Sequence, residues 1–198
     1  MKLKKAALKA VGKIVNKVTS STVQGTSAGV KSGYTADSEL IALCRRIGAE
    51  SVVMLKNNGN VLPLDISRKV SVFGRVQNDY FYVGYGSGGD VNAPYKISLM
   101  QALRNNPDIT VNTELADEYE RRCAAEPVDN GFWGHWPMCY DELSIDVAMA
   151  KKAAANSDTA IVVIGRAAGE DRENKLEKGS YYLTDDETAL LDSVTAEF

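Results

Sequence analysis

The sequence predicts an α/β fold built around a mostly parallel sheet. From residue 38 onward, short β-branched or aliphatic runs alternate with longer segments whose apolar residues recur at helical spacing, which is the pattern of βαβ units. One run, residues 160–164, is wholly apolar and shows no alternation, so it predicts a strand buried on both faces. It leads into a charged loop flanked by Gly165 and Gly169, and open α/β sheets place their binding sites in such loops.

Four segments are predicted as buried strands, and turn residues separate them from the elements around them. Asn57, Asn58 and Gly59 form the turn after the first strand, and Gly74 ends the second. Parallel neighbours need long crossover connections, so the helices are expected between the strands. The strands are residues 51–55, 69–74, 109–112 and 159–165.

Five helices are predicted in the same region from apolar periodicity and capping signals. Two begin at the capping boxes Ser98-x-x-Gln101 and Thr184-x-x-Glu187, in which side chains satisfy the free N–H groups of the first turn. Two more span residues 114–126 and 145–155. The first helix of the region is expected to pack on a core through an apolar stripe formed by Leu40, Leu43, Cys44 and Ile47.

The first 36 residues differ from the rest of the chain. Residues 1–18 combine apolar residues at helical spacing with intervening lysines, which predicts a basic amphipathic helix, and residues 19–36 are rich in Ser, Thr, Gly and Val, which predicts a flexible linker. Weak contact with a membrane surface is one interpretation of the helix. A loosely held helix with a solvated lysine face is the simpler one. The folded domain is therefore expected over residues 37–198.

Charge and composition narrow the classes of partner and compartment. Residues 1–36 carry seven lysines and no acid, whereas the remainder is acidic and the net charge is −3, so nucleic acid is not an expected partner of the body. The three cysteines and the single histidine are widely spaced, which favours neither a disulfide framework nor a metal site. No cofactor is expected. Without a signal peptide pattern, the expected location is the cytoplasm.

A glycine-rich segment, residues 80–91, raises a nucleotide-binding alternative. Gly84, Gly86 and Gly89 formally satisfy the G-x-G-x-x-G pattern, but that fingerprint requires a helix to begin inside it. Here Pro94 imposes an extended step and the next helix starts only at Ser98. A nucleotide-binding domain is therefore the weaker hypothesis, and a loop whose backbone approaches a ligand closely is the stronger one.

Aromatic residues are concentrated in residues 128–143. Trp133 and Trp136 offer flat faces on which a sugar ring packs well, although the same rings would also suit a small satellite core. His135 lies between the two tryptophans, and a lone histidine is more often a packing residue than a catalyst.

Two stretches carry a resemblance to a known family. The segments AESVVMLKNNGNVLPL (49–64) and GRAAGED (165–171), the latter followed by Lys178-Gly179 and the T-D-D-E step at 184–187, resemble the C-terminal-type domain of glycoside hydrolase family 3, the β-glucosidase family. The resemblance covers about residues 38–198. It implies a three-layer α/β sandwich around a mostly parallel sheet, incomplete at the C-terminus because further strands follow in that family.

The resemblance also implies a function and a site. It assigns the general acid/base of a retaining β-glucosidase to Glu170, with Asp171 as the alternative, and places Asp171 and Arg172 at the pocket. The loop containing Gly86, Ser87 and Gly88 resembles the one beside the family's sugar pocket, where Trp133 and Trp136 would join it. The expected partner is a carbohydrate substrate, such as a β-glucoside.

The same resemblance implies that half of the active site lies elsewhere. In the family a barrel domain supplies the nucleophilic aspartate, and no segment here resembles that barrel or its Ser-Asp-Trp motif. A sandwich that comes first resembles the circularly permuted branch. Because the family's later strands and the nucleophile are missing from this sequence, a truncated product without activity of its own is expected. The competing hypothesis is a noncatalytic carbohydrate-binding or interaction module.

Overall fold

The computed structural model describes residues 37–82, 84–85, 95–131, 136–167, 169–170 and 175–198. Contacts divide the chain into two units, residues 1–65 and 66–198. The N-terminal helix predicted over 1–18 and the linker over 19–36 lie outside the described residues, so both remain predictions.

In the first unit, helix α1 spans Ser38–Glu50. The Asp37 carboxylate caps it by accepting the Glu39 N–H at 2.7 Å. The expectation that its apolar stripe packs on a core is wrong, because Leu40, Leu43 and Ile47 are 48%, 43% and 56% exposed. Periodicity identified the helix correctly, but no described element of this unit covers this face.

The strand predicted over residues 51–55 is also wrong. Residues 52–57 are extended chain outside any sheet, and Leu55 is 93% exposed. A strand exists only where another segment accepts and donates its ladder hydrogen bonds, and no described segment pairs with this one. The turn that follows is as predicted, with the Asn57 side chain bonded to both the N–H and the carbonyl of Leu62.

The second unit contains a three-stranded parallel sheet in the order β2-β1-β3. Strand β1 spans Lys69–Phe73, β2 spans Thr110–Val111 and β3 spans Thr159–Val162. Val70 is aligned with Val111 on one side and with Thr159 on the other. These are the other three predicted strands. Only the central β1 is buried almost throughout, whereas β3 is half-buried along its length because it lies at an edge of the described sheet.

Four helices complete this unit. Helix α2 spans Leu99–Arg104, α3 spans Thr113–Ala125, α4 spans Val147–Ala154 and α5 spans Asp185–Thr195. Both predicted capping boxes are present, at the starts of α2 and α5. Helix α3 packs against β1 and α4 against α5, as expected for an α/β sandwich. The apolar core includes Phe73, Leu115, Tyr119, Leu143, Ile145, Leu190 and Val194.

A buried hydrogen-bond chain fixes how β1 meets the ends of its neighbours. The Asn112 amide donates to Ser71 Oγ at 2.9 Å, and Ser71 Oγ lies 2.6 Å from Ser157 Oγ. Ser157 gives its only hydroxyl proton to the Ala153 carbonyl, so Ser71 must be the donor to Ser157. One central serine thereby joins the segment after β2 to the segment before β3.

Among the described residues, no helix combines the length and the apolar character that crossing a membrane requires.

Candidate functional site

The segment after β3 lies at the carboxyl edge of the sheet, beside the end of β1. The Val163 N–H continues the ladder to the Phe73 carbonyl at 2.9 Å. A Cβ on Gly165 would lie 2.6 Å from Val76 Cγ1, so the chain can pass here only without a side chain. The loop over residues 165–170 is thus brought to the edge where parallel sheets place their ligands.

Tyr85 joins the glycine-rich segment to the end of this loop. The Glu170 N–H donates to the Tyr85 carbonyl at 2.9 Å, and Gly169 forms a parallel bridge with Tyr85. A Cβ on Gly169 would lie 2.8 Å from the Tyr85 carbonyl oxygen, so glycine permits this close approach. Two segments that the sequence singled out separately therefore meet at one point.

Aromatic rings pack around Tyr85, next to its contact with Gly169 and Glu170. Tyr85 stacks on Trp136 with ring centroids 5.2 Å apart and an interplanar angle of 4°. Phe81 stacks on Tyr140 at 4.3 Å. The Ala167 N–H donates to the Met138 carbonyl at 2.7 Å, which ties residues 128–143, here called the aromatic segment, to the loop carrying Glu170. One face of Trp136 is therefore already in contact with another ring.

Burial is the main reason why the pKa of Tyr140 lies well above its usual range, and the neighbouring Tyr85 adds to the shift. Its hydroxyl donates to Asn130 Oδ1 at 2.8 Å. At neutral pH Tyr140 is therefore a neutral hydrogen-bonding ring.

Arg166 holds the start of the loop. Its guanidinium donates to both oxygens of Glu187, at 2.5 and 2.7 Å, and to the carbonyls of Gly165 and Ser180, both at 2.8 Å. Glu187 is only 3% exposed and is also the third residue of the α5 capping box. The sequence analysis recognised that capping box but missed this ion pair.

Arg75 occupies the corresponding place after β1 and is 5% exposed. Its guanidinium donates to the Asp79 carboxylate at 2.8 Å, to the Asp141 carbonyl at 2.9 Å and to the Glu126 carbonyl. Its backbone N–H lies 2.8 Å from Glu142 Oε1, and burial raises the pKa of that carboxyl. Arg75 thus bonds to the carbonyls of residues 126 and 141, which flank the aromatic rings of the aromatic segment. A signal in the sequence could have identified both arginines: a Gly-Arg pair follows β1 at 74–75, and another follows β3 at 165–166.

Comparison with known proteins decides the family. A sequence model described as "Glycosyl hydrolase family 3 C-terminal domain" matches residues 52–198. The chain belongs to glycoside hydrolase family 3. The resemblance stated from the two motifs is therefore confirmed, and so is the α/β sandwich class.

Relatives of this family 3 chain are named as β-glucosidases. It is 41% identical over 162 residues to a β-glucosidase of Ruminococcus albus, with 81% of this chain and 17% of that protein covered. It is 32% identical to β-glucosidase A of Butyrivibrio fibrisolvens, with 83% of this chain and 22% of that protein covered. The chain therefore spans about a fifth of the length of these curated relatives.

Solved structures of two further β-glucosidases resemble the fold. The enzyme from Paenibacillus barengoltzii is 42% identical, with a TM-score of 0.79 over 83% of this chain and 18% of that one. β-Glucosidase 3B from Thermotoga neapolitana, in complex with α-D-glucose, is 31% identical, with a TM-score of 0.70 over 81% of this chain and 22% of that one.

Of the predicted site residues, the structure describes Glu170 and Trp136. Glu170 is exposed and Trp136 half-buried, and both are joined to Tyr85 by the contacts above. The remaining predicted residues lie outside the described ranges, as does His135, and their roles stay predictions; they are Gly86, Ser87, Gly88, Trp133, Asp171 and Arg172.

The nucleotide-binding alternative finds no support in the described part of the chain. The helix after the glycine-rich segment begins at Leu99, with Ser98 as its cap, and not inside the G-x-G-x-x-G pattern. Among the described residues, no three His, Cys, Asp or Glu side chains form a cluster suited to a metal ion.

A cavity of about 500 Å³ lies between α3 and α4, and its lining includes neither Glu170 nor Trp136.

The lowered pKa of Glu187 should make the free energy of unfolding depend on pH. Burial is the largest influence and raises its pKa, but hydrogen bonds from Arg166 and the Thr184 N–H outweigh burial, so the net pKa lies below 4.5. A carboxyl with a lowered folded-state pKa stabilises above its unfolded pKa and loses that contribution as pH falls through the folded value. We expect Glu187→Gln to lower the free energy of unfolding by about 1.5–3 kcal/mol near neutral pH. This difference should narrow below pH 4.5.

Urea denaturation of the two proteins across this range measures the effect. Glu177→Gln, at an exposed position in the preceding turn, is the control and is expected to change stability by less than about 0.5 kcal/mol. A Glu187→Gln deficit that stays constant down to acid pH would contradict the argument.

Proposed function

We propose that this chain is the acid/base domain of a retaining, β-glucosidase-like glycoside hydrolase, with Glu170 as the general acid/base. The observation that carries the proposal is the hydrogen bond from the Glu170 N–H to the Tyr85 carbonyl, which holds a glutamate beside the stacked Tyr85 and Trp136 rings. Family membership and the names of the relatives support the substrate class. One relative was solved with glucose bound.

A retaining glycosidase uses two carboxyl groups about 5–5.5 Å apart. In the first step Glu170 would donate its proton to the glycosidic oxygen while a carboxylate from another domain attacks the anomeric carbon. In the second step Glu170 would take a proton from water as the water displaces that carboxylate. Separate domains let the two carboxyl groups carry different charges at one pH.

The chain's other residues would orient the reaction. The Trp136 ring, stacked on Tyr85, would contribute an aromatic surface of the kind on which sugar C–H groups pack well. Arg75 bonds to the carbonyls that flank the rings of the aromatic segment. Asp171 and Arg172, with the loop at Gly86, would complete the pocket. The nucleophile would come from the barrel domain that the family combines with this one.

The first test is hydrolysis by the chain alone. We expect the purified 198-residue protein to show no turnover of an aryl β-glucoside, because the carboxylate that forms the glycosyl-enzyme intermediate would belong to the other domain. The same domain joined to its nucleophile-bearing domain is the positive control. Turnover by the chain alone that disappears in Glu170→Gln would refute the split-site proposal.

A noncatalytic carbohydrate-binding module is the second candidate, favoured by the Tyr85–Trp136 stack. If this second candidate is correct, cellobiose should bind the chain saturably. Trp136→Ala should abolish that binding, because stacking of a sugar on an aromatic face needs the ring. Tyr181→Ala is the matched control, since Tyr181 is an exposed ring in edge-to-face contact with Tyr182. Calorimetric titration measures both. Binding without catalysis in the longer protein would favour the module over the enzyme.

A further inference from the structure

Arg166 connects the start of the Glu170 loop to two other parts of the chain. Its Nε donates to the Ser180 carbonyl at 2.8 Å and its Nη2 approaches the Tyr182 carbonyl at 3.3 Å. Its Nη1 donates to the carbonyl of Gly165, within the loop itself. The bidentate pair with Glu187 adds the first turn of α5. One planar guanidinium therefore contacts the loop, a turn and a helix at once.

The partners of Arg166 are themselves held in place. Glu187 Oε2 also accepts the Thr184 N–H at 2.8 Å, so the carboxylate is oriented by the helix cap. Ser180 is 6% exposed, and its Oγ accepts the Lys175 N–H at 2.9 Å. The Gly179 N–H donates to the Tyr182 carbonyl at 2.8 Å. Arg166 therefore binds to groups that are themselves held in place by hydrogen bonds.

Beyond Arg166, backbone hydrogen bonds of the described loop residues run from the Ala167 N–H to the Met138 carbonyl and from the Glu170 N–H to the Tyr85 carbonyl. Ala167 is 4% exposed. These bonds fix the loop against the aromatic segment, whereas Arg166 fixes it against α5. The direction in which the loop leaves the sheet depends on both attachments.

We propose that Arg166 is a positioning residue that sets the place of Glu170 by clamping the start of its loop to Glu187 and to the carbonyls of residues 165, 180 and 182. The inference rests on the proposed acid/base role of Glu170. Catalytic groups must be held within about 0.5 Å of the productive geometry, and a displacement of about 1 Å can cost about 100-fold in rate. Lysine cannot reproduce the fork, because its ammonium is a single point of donation.

Hydrogen exchange on the 198-residue chain tests the positioning without any activity. In Arg166→Lys and Arg166→Gln we expect the amides of Ala167 and Glu170 to exchange about tenfold faster or more, since a lost charged hydrogen bond favours local opening. The Val163 amide, bonded to Phe73, reports the loss of global stability that removing the Arg166–Glu187 pair also causes, so we expect it to accelerate less than Ala167 and Glu170. Arg122→Lys is the matched control, because Arg122 also binds a carboxylate and a carbonyl, those of Glu118 and Ser144.

Two results would overturn the positioning role: unchanged exchange at Ala167 and Glu170, or equal acceleration at Val163, which would indicate a general loss of stability. If Arg166→Gln fails to fold, Glu187→Gln provides the same comparison. Glutamine keeps the capping box but removes the charge that pairs with Arg166. In Glu187→Gln we expect the amides of Ala167 and Glu170 to exchange faster by a smaller factor than in Arg166→Gln, but still by more than the Val163 amide.

Kinetics of the longer protein, with the nucleophile-bearing domain present, test the consequence for catalysis. We expect Arg166→Lys to lower kcat about 10- to 100-fold with a smaller change in KM, and to do so more strongly for poor leaving groups than for good ones. Arg122→Lys should leave both nearly unchanged. Equal losses for good and poor leaving groups would contradict the proposal.

The two proposals fail in distinguishable ways. Full activity of Glu170→Gln would remove the acid/base assignment, even if exchange shows that Arg166 orders the loop. Loss of activity in Glu170→Gln, combined with unchanged exchange and unchanged kcat in Arg166→Lys, would remove the positioning role alone.

Discussion

Under the proposed acid/base role, replacing Glu170 by glutamine in a protein that joins this chain to a nucleophile-bearing family 3 domain should lower kcat/KM on an unactivated β-glucoside by about 10²- to 10⁴-fold, the usual contribution of general acid–base catalysis. Glutamine keeps the size of the side chain and leaves the backbone bond to the Tyr85 carbonyl in place. It cannot, however, protonate a departing oxygen. Steady-state kinetics on cellobiose measure the loss.

A substrate with a good leaving group separates the chemical role of Glu170 from a structural one. Its first step needs little acid assistance, so the variant should form the glycosyl-enzyme intermediate and then stall, and added azide should rescue turnover by attacking without a general base. Asp171→Asn is the matched control at the neighbouring carboxyl. Full activity of Glu170→Gln with a loss in Asp171→Asn would move the acid/base role to Asp171.

Gly74→Ala should destabilise the second unit by about 3–5 kcal/mol, at the upper end of single-residue effects. Gly74 follows β1 with φ of 96°, a value that residues with a Cβ rarely adopt. An added Cβ would lie 2.1 Å from the Val163 carbonyl oxygen, in the rigid backbone of the neighbouring strand. Relief would require β1 and β3 to separate, and it would disturb the bond from the Gly74 N–H to the Tyr119 hydroxyl.

Urea denaturation followed by circular dichroism measures this effect, and the yield of soluble protein is a second readout if the variant does not fold. Gly48→Ala is the control and should act in the opposite direction. Gly48 lies inside α1, where an added Cβ meets nothing within 4 Å, so alanine should stabilise that helix by about 0.5–1 kcal/mol. A Gly74→Ala protein as stable as the wild type would mean that the two strands are not held in the described register.

Local features were the most reliable part of the sequence analysis. The capping boxes at Ser98 and Thr184 were predicted because all of their partners lie within four residues. The turn at Asn57 is also local, since its side chain bonds to Leu62, five residues further along the chain. The prediction of a strand over 51–55 was wrong, although this segment also contains β-branched residues. Composition specifies a preference for extended chain, but it does not specify the neighbouring strand that must pair with it.

The amino-acid sequence alone was sufficient to predict five helices of the described region, two of their capping boxes, three of the four proposed strands and the family, and it singled out the glutamate proposed as acid/base. The tertiary structure decided which faces are buried and which groups surround that glutamate. Arg166 meets Glu187 across 21 positions and Arg75 meets Glu142 across 67, and the Tyr85–Trp136 stack joins segments that periodicity treats as unrelated. The physical reason is that a buried charge requires a partner, but which partner it finds depends on how the parallel strands bring distant segments to one edge of the sheet.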